Sequence, residues 1–366
     1  MSNSRRKDEI DVVEPKPRNT VPAENLRRVL GGVLEALGAS PRDAATVAEL
    51  LVEADLRGVD SHGAHLLGLY VARVRAGHID PAAQPKLVDD GGTTLLLDGG
   101  LGFGQIAGLE AVRLLVERGR EHGVAAVAVR ESTHLGALAA YTERVARAGL
   151  ICLCFQNGPT IVPPFGGVTQ LFSTNPLSYA VPAAAKPPIV YDIATTTVAG
   201  NKLLLAKKRG DPSIPDGWAN DERGRPTNAP AEASVHHLQW FGGHKGFGLA
   251  FLVELMAGVL TGSGFGRTEH TASPAHGRDR VAKGFVFLAI DPSRFLPGGD
   301  FGARVDMLVD DVVGSQPADG VDRVLVPGQL EHERRAVREA EGIPLSAALR
   351  EEINRYAAEL AVPGLG

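Results

Sequence analysis

The amino-acid sequence predicts a mixed α/β (α+β) protein, with helices at both chain ends and a sheet between them. Three observations carry this. Apolar residues recur at three- and four-residue spacing near both ends. Short, continuous apolar runs bounded by glycine and proline fill the middle. Two of those runs, 124–129 and 150–155, flank a helical pattern at 137–148 and so form a strand–helix–strand unit. A chain of 366 residues is long enough for two domains or one large one.

Each element follows from a local pattern. Residues 1–18 are polar, contain no apolar core of a signal peptide, and read as a disordered extension. Residues 20–37 form an amphipathic helix, with Thr20 as its expected cap and Leu26, Val29, Leu30, Val33, Leu34 and Leu37 on one stripe. Ser40 followed by Pro41 starts a second helix, which Gly58 stops. Ser61 and His62 therefore lie just past a helix end, and a third helix covers 66–75. A strand is expected at 94–98 and a helix at 105–121. The strand at 124–129 leads into a loop carrying His134, then the helix at 137–148 and the strand at 150–155. Residues 158–243 are rich in proline, glycine and threonine, so short strands (178–181, 189–192) and long ordered loops are expected. An apolar helix at 246–261, a strand at 284–290 and helices at 305–313, 328–341 and 345–360 complete the chain. No internal repeat is present.

Composition excludes several classes. The net charge is -5 and no basic stripe exists beyond the first residues, which argues against a nucleic-acid partner. No run of eighteen apolar residues exists, so no membrane-spanning helix is expected. Cys152 and Cys154 alternate on one strand face, where geometry disfavours a disulfide; they read as buried core thiols in a reducing cytoplasm.

Two histidine motifs stand out. Gly58 to Gly63 contains Ser61 and His62, and Ser132 to Gly136 contains His134. A hydroxyl, an imidazole and a flexible backbone suit proton transfer near neutral pH. Gly242 to Gly248 adds Lys245 near a helix start, where an anion is favoured. Gly100, Gly102 and Gly104 follow a strand and precede a helix, but their spacing is not that of a dinucleotide loop, and a tight turn is expected. His62 and His65 are three apart, yet no acidic third ligand stands nearby, so no metal is expected.

These motifs, taken in order, resemble the type-2 malate/L-lactate dehydrogenase family of NAD(P)-dependent oxidoreductases. The family includes ureidoglycolate, sulfolactate and diketogulonate enzymes and cyclic-imine reductases. The likeness runs from about residue 20 to 350. It is carried by Gly58 to Gly63 with Tyr70, Ser132 to Gly136 with Tyr141, Pro164 to Gly167, Thr174 to Pro176 and Asp192 to Thr195. It continues through Ile214 to Asp221, Gly243 to Leu249, Ala289 to Pro292 and Val326 to Gly328.

The resemblance implies a fold distinct from Rossmann. Residues 19–85 with 300–366 would form a mostly helical part, and 86–299 a central α/β part holding cofactor and substrate, in homodimers. It implies NAD or NADP as cofactor, with Gly158, Asp192, Ile193, Ala194, Lys245, Pro327 and Gly328 in segments that hold it. His134 would be the proton donor and acceptor, with Ser61 and His62 lining the same pocket. His65, Leu66, Tyr70 and Thr174 fall in segments near the substrate. Asp192 has a second expected role as an orienting carboxylate. The implied reaction moves a hydride between NAD(P)(H) and a small 2-hydroxy acid/2-oxo acid pair. Reduction of a cyclic imino acid is the alternative, and a non-catalytic ligand-binding protein a third. Three positions depart from the family pattern. Leu66 stands where an arginine usually holds the substrate carboxylate, residues 227–230 lack the acid common before that proline, and Gln329 replaces a usual glutamate.

Overall fold

A computed structural model describes residues 20–267, 272–273, 277–296, 298 and 300–366; the expected extension at 1–18 lies outside them. Helices α1 (Ala23–Ala36), α2 (Pro41–Leu56) and α3 (Leu67–Arg75) open the chain. Ser40 caps α2, its hydroxyl accepting the Asp43 N–H at 3.1 Å, and Gly58 turns the chain away at φ 75°. Thr20 does not cap α1. Thr20–Val21 instead pairs antiparallel with Ile343–Pro344, and the cap position is Pro22. A strand partner more than three hundred residues away instead holds the chain at Thr20 and Val21, ahead of the helix.

The apolar stripes of α1 to α3 meet Ile353 and Ala357 of the chain's last helix, α10 (Ala347–Glu359), and the flanking Ile343, Leu345 and Leu365, in one core. Helix α9 (Gln329–Glu341) lies against α2, where Arg338 bonds the Asp55 carbonyl and the Asp60 carboxylate. Helix α8 (Phe301–Val313) contributes nothing to that core. Its Asp306 carboxylate accepts the Ala185 N–H at 2.8 Å, which docks it on the turn between two strands of the sheet.

The central sheet has seven strands: β1 (Lys86–Asp90), β2 (Thr94–Asp98), β3 (Val124–Ser132), β4 (Ile151–Gln156), β5 (Leu177–Val181), β6 (Ile189–Ile193) and β7 (Lys283–Ile290). Their order is β1-β2-β3-β7-β4-β5-β6. Only β2 and β3 pair in parallel; every other neighbouring pair is antiparallel. The sheet is therefore mixed, unlike the all-parallel sheet of a Rossmann domain. The strand–helix–strand unit is present, but β7 is inserted between its two strands.

Alternation of side chains sorts the layers. Cys152 and Cys154 face one side and are fully buried with α4 (Gly104–His122) and α5 (Ala139–Arg147). Leu153 and Phe155 face the other, under α7 (His244–Glu254) and the π turn Leu255–Val259 that continues it. The helix expected through 246–261 thus loses α geometry for its last turns. Between β6 and α7 lie α6 (Gly200–Arg209) and loops with a small apolar core of their own. Among the described residues, no helix is long and apolar enough to cross a membrane.

Candidate active site

The two histidine motifs meet. Ser61 and His62 occupy the short 3-10 turn Asp60–His62 after α2, and His134 sits in the loop between β3 and α5. Their rings stack with centroids 5.6 Å apart and planes 27° from parallel. Ser61 Oγ lies 2.9 Å from His62 Nδ1, and the Gly136 N–H approaches His134 Nδ1 at 3.3 Å.

Each loop is held by groups that a local reading of the sequence does not reveal. Asp55 accepts the Ala64 N–H at 2.8 Å; a Cβ on Gly63 would stand 1.8 Å from its Oδ1, so only glycine fits. Burial pushes the Asp55 carboxyl up to about 8, against the lowering effect of the Ala64 N–H. On the other side, Gln156 from β4 spans the His134 turn. Its Nε2 donates to the Thr133 carbonyl at 3.3 Å and its Oε1 accepts the Leu135 N–H at 3.4 Å. Tyr141 Oη donates to the Leu135 carbonyl at 2.7 Å. The glycine cluster at 100–104 also serves this loop. A Cβ on Gly104 would come within 2.6 Å of the His134 and Thr133 carbonyls, while Thr133 Oγ1 donates to the Gly102 carbonyl at 2.8 Å. The expected tight turn is there, with Gly100 at φ 59°, and its purpose is close approach of two backbones.

The electrostatics favour neutral imidazoles. Burial lowers His62, and burial, His62, Arg73 and Lys283 together bring His134 down to about 3. Arg73 and Lys283 are thus cations that act on His134, and sequence reasoning missed both. Tyr70 and Arg73 are three apart on α3 and so share a face, which is the signal that was available for Arg73. Tyr70 is fully buried; its hydroxyl accepts from Gln105 Nε2 at 2.6 Å, and burial pushes it up to about 12.

The remaining expected residues fall in several places. His65 is exposed and makes no hydrogen bond, and Leu66 packs against the helical core. Thr174 is half-buried; its carbonyl accepts the Thr195 N–H at 2.9 Å, beside Ile193 and Ala194 at the end of β6. The Thr195 carbonyl in turn accepts the Phe241 N–H at 3.1 Å, four residues before Lys245, which is exposed in the first turn of α7. Gly158 abuts Ser173, where a Cβ would meet Oγ at 2.3 Å. Asp192 accepts the Ala139 N–H at 2.8 Å, at the start of the helix that follows His134. Pro327 and Gly328 line a cleft of ≈ 430 Å³ along the start of β6, and a Cβ on Gly328 would lie 2.6 Å from the Val190 carbonyl. Among the described residues, no group of three His, Cys, Asp or Glu side chains is placed to hold a metal.

Comparison with known proteins identifies the family. Residues 21–354 match the model of a family described as malate/L-lactate dehydrogenase. An L-sulfolactate dehydrogenase of Methanocaldococcus jannaschii is 32% identical over 339 residues, covering 93% of this chain and 96% of the relative. The crystal structure of malate dehydrogenase from Entamoeba histolytica superposes with a TM-score of 0.87 at 26% identity, over 94% of this chain and 99% of that one. A delta1-piperideine-2-carboxylate reductase from Pseudomonas syringae gives a TM-score of 0.81 at 32% identity, over 93% of this chain and all of that one (100%). The chain belongs to the malate/L-lactate dehydrogenase family and is an oxidoreductase of the 2-hydroxy acid dehydrogenase type.

Proposed function

We propose that the chain moves a hydride between NAD(P)(H) and a small 2-hydroxy acid/2-oxo acid pair, with His134 as the proton donor and acceptor. The observation that carries this is the stacked His62–His134 pair, with Ser61 on His62. In oxidation, neutral His134 takes the hydroxyl proton as the C2 hydride departs; in reduction the proton returns to the carbonyl oxygen. Such acid–base help is worth roughly 10²–10⁴ in rate. Ser61 and His62 orient the reacting oxygen. Burial, and then the nearby cations, hold His134 neutral; an anionic substrate offsets the second of these, so the ring charges more readily once substrate is bound.

The residues present fit a nicotinamide dinucleotide, NAD or NADP. The cleft beside Pro327 and Gly328 has apolar walls from Ile189, Val190, Val309 and Val313, and its cations Arg57 and Lys186 are paired with Glu143 and Asp310. Edge strand β6 leads from there to Asp192, Ile193 and Ala194, and Gly158 and the α7 start with Lys245 follow along the same edge. When bound, the group supplies the hydride chemistry; the chain supplies position and the proton.

A cyclic imino acid is the alternative substrate, since the same proton donor serves an imine nitrogen, and the solved piperideine-2-carboxylate reductase supports it. We also infer a homodimer. Leu249, Phe251, Leu252, Leu255, Val259 and Leu260 expose an apolar face on α7 and its π turn that a second copy would cover. Two buried thiols suit a cytoplasmic location.

The test is oxidation of NADH or NADPH with a panel of 2-oxo acids and cyclic imino acids, in wild type and His134→Ala. Turnover with a 2-oxo acid, lost roughly 10²- to 10⁴-fold in the variant with cofactor affinity kept, is expected. Full activity in His134→Ala would remove its assigned role.

A further inference from the structure

The turn that carries Ser61 and His62 has little rigidity of its own. Asp60–His62 is a single 3-10 turn between Gly58 and Gly63, without a side-chain cap. Its backbone bonds run from the His62 N–H to the Val59 carbonyl at 2.9 Å and from the Gly63 N–H to the Asp60 carbonyl at 3.3 Å. Such short turns have poorer hydrogen-bond geometry than an α-helix. Support comes from the far end of the chain. Arg338 of α9 is 4% exposed, and its Nη1 donates both to the Asp55 carbonyl and to Asp60 Oδ1, each at 2.5 Å. One nitrogen thus joins the end of α2 to the first residue of the turn. Arg334, one helical turn earlier, lies against Gly58, its Cδ 2.7 Å from where a Cβ there would stand. With Asp55 on the Ala64 N–H, the turn is clamped at both ends.

Helix α9 also borders the cleft beside Gly328, which Gln329, His332 and Glu333 line from one face of its first turns. At 3.6 residues per turn, Arg334 and Arg338 fall on the opposite face. A buried guanidinium–carboxylate contact adds little net stability, because desolvation offsets the attraction. What it supplies is geometry, since charge-assisted hydrogen bonds are short and directional. We propose that Arg338 is a positioning residue: through Asp60 it sets Ser61 and His62 against His134, so that the reacting oxygen meets both histidine motifs in one arrangement. The inference rests on the hydride-transfer reading above for the chemistry, and on the Arg338–Asp60 contact for the positioning.

The experiment compares wild type with Asp60→Ala, Arg338→Met, Arg338→Lys and the double variant Asp60→Ala, Arg338→Met. The Asp60 side chain is 58% exposed, so its truncation breaks the contact without opening the core. Kinetics use reduced cofactor and a 2-oxo acid that the wild type turns over. Asp60→Ala should lower kcat roughly 10- to 100-fold, because misplacement by about 1 Å can cost on the order of 10²-fold. The KM for cofactor should stay near wild type, since the cleft lies on the other face of α9. The double variant should be no slower than the slower single variant, as for two residues acting through one bond. Arg338→Lys, whose ammonium can take the place of Nη1, should recover much of the rate. If Arg338→Met does not fold, Asp60→Ala and Arg338→Lys carry the test. Unchanged kcat in Asp60→Ala overturns the proposal, as does a double variant that shows the product of the two single effects. Amide hydrogen exchange of residues 58–66, with 41–56 as reference, needs no turnover. If no 2-oxo acid turns over, the hydride-transfer reading fails; faster exchange confined to 58–66 in Asp60→Ala would still support the clamp, and unchanged exchange would overturn it.

Discussion

Asp192, at the end of edge strand β6, accepts the backbone N–H of Ala139 at 2.8 Å. This one contact ties edge strand β6 to the helix that follows the His134 loop. A carboxylate facing a helix start satisfies a backbone donor left over there and complements the helix dipole. Burial nevertheless pushes Asp192 up to about 6. Asp192→Ala should cost about 1–2 kcal/mol, as loss of a helix-start acceptor does. It should also lower kcat, because the His134 loop loses its anchor. Urea denaturation and steady-state kinetics check the two effects, and Asp192→Asn, which keeps an acceptor, should restore most of both.

Gln156 holds the His134 turn from both sides. Gln156→Leu removes both bonds and strands a buried carbonyl and N–H, at about 1–3 kcal/mol for each group left unpaired. Because misplacement by about 1 Å can cost on the order of 10²-fold, kcat should fall much further than substrate KM rises. An unchanged kcat would show that Tyr141 alone suffices to fix the loop.

Gly104→Ala places a methyl within 2.6 Å of the His134 carbonyl, where backbone rather than a flexible side chain must give way. We expect a folded protein with strongly reduced turnover and near-native cofactor affinity. Fluorescence titration with reduced cofactor, set beside the initial rate, separates these readouts.

Asp55 predicts a pH effect of definite sign. Its folded carboxyl rises to about 8 from an ordinary value of 3.8, so between those values the folded protein holds a proton that the unfolded chain has lost. This contribution is complete below pH ~4 and is lost as pH rises toward ~8, at no more than about 1.4 kcal/mol per pH unit. His62 and His134, lowered in the fold, act oppositely and favour the folded state as pH rises toward their ordinary value of 6.5. The informative quantity is therefore the stability of wild type minus that of Asp55→Asn, followed by denaturant midpoints from pH 5 to 8. It should decline steadily; a flat difference would rule out a protonated Asp55.

Arg57 and Glu143 form a buried ion pair joining α2 to α5, each side chain 8% exposed, with Arg147 also on Glu143. Glu143→Ala leaves the Arg57 guanidinium buried without its carboxylate and should cost about 3–5 kcal/mol. The double variant Arg57→Met, Glu143→Leu should recover much of that loss, which thermal or urea unfolding would register.

The parts of this structure legible in the sequence are those governed by local periodicity. The stripes of α1 and α2, the Ser40 cap and the Gly58 stop needed only neighbouring residues, and together they placed Ser61 and His62 at a helix end. What escaped was set at long range. Thr20 looked like a cap because its strand partner, Ile343–Pro344, lies at the far end of the chain. Lys283 lay just outside the strand expected at 284–290, and only the pairing with β3 sets it opposite Ser132, beside the His134 loop. Gly104 signalled a turn without showing that the turn exists so that His134 can approach.

Strand β7 bonds to both β3 and β4, yet residues 157–282 separate it from β4. As the polypeptide leaves the ribosome, the strands that carry the His134 loop appear long before the one that joins them. Each waits with an unpaired edge, the kind of surface that recruits other chains. Closing so long a connection is slow relative to local helix formation. A nascent chain halted before residue 283 can hold its helical core segments from α1 to α3, but it presents two open strand edges and lacks a completed proton-transfer pocket. His134 is thus made early and set in place late, a delay that makes the interval before β7 docks the period of greatest dependence on chaperones.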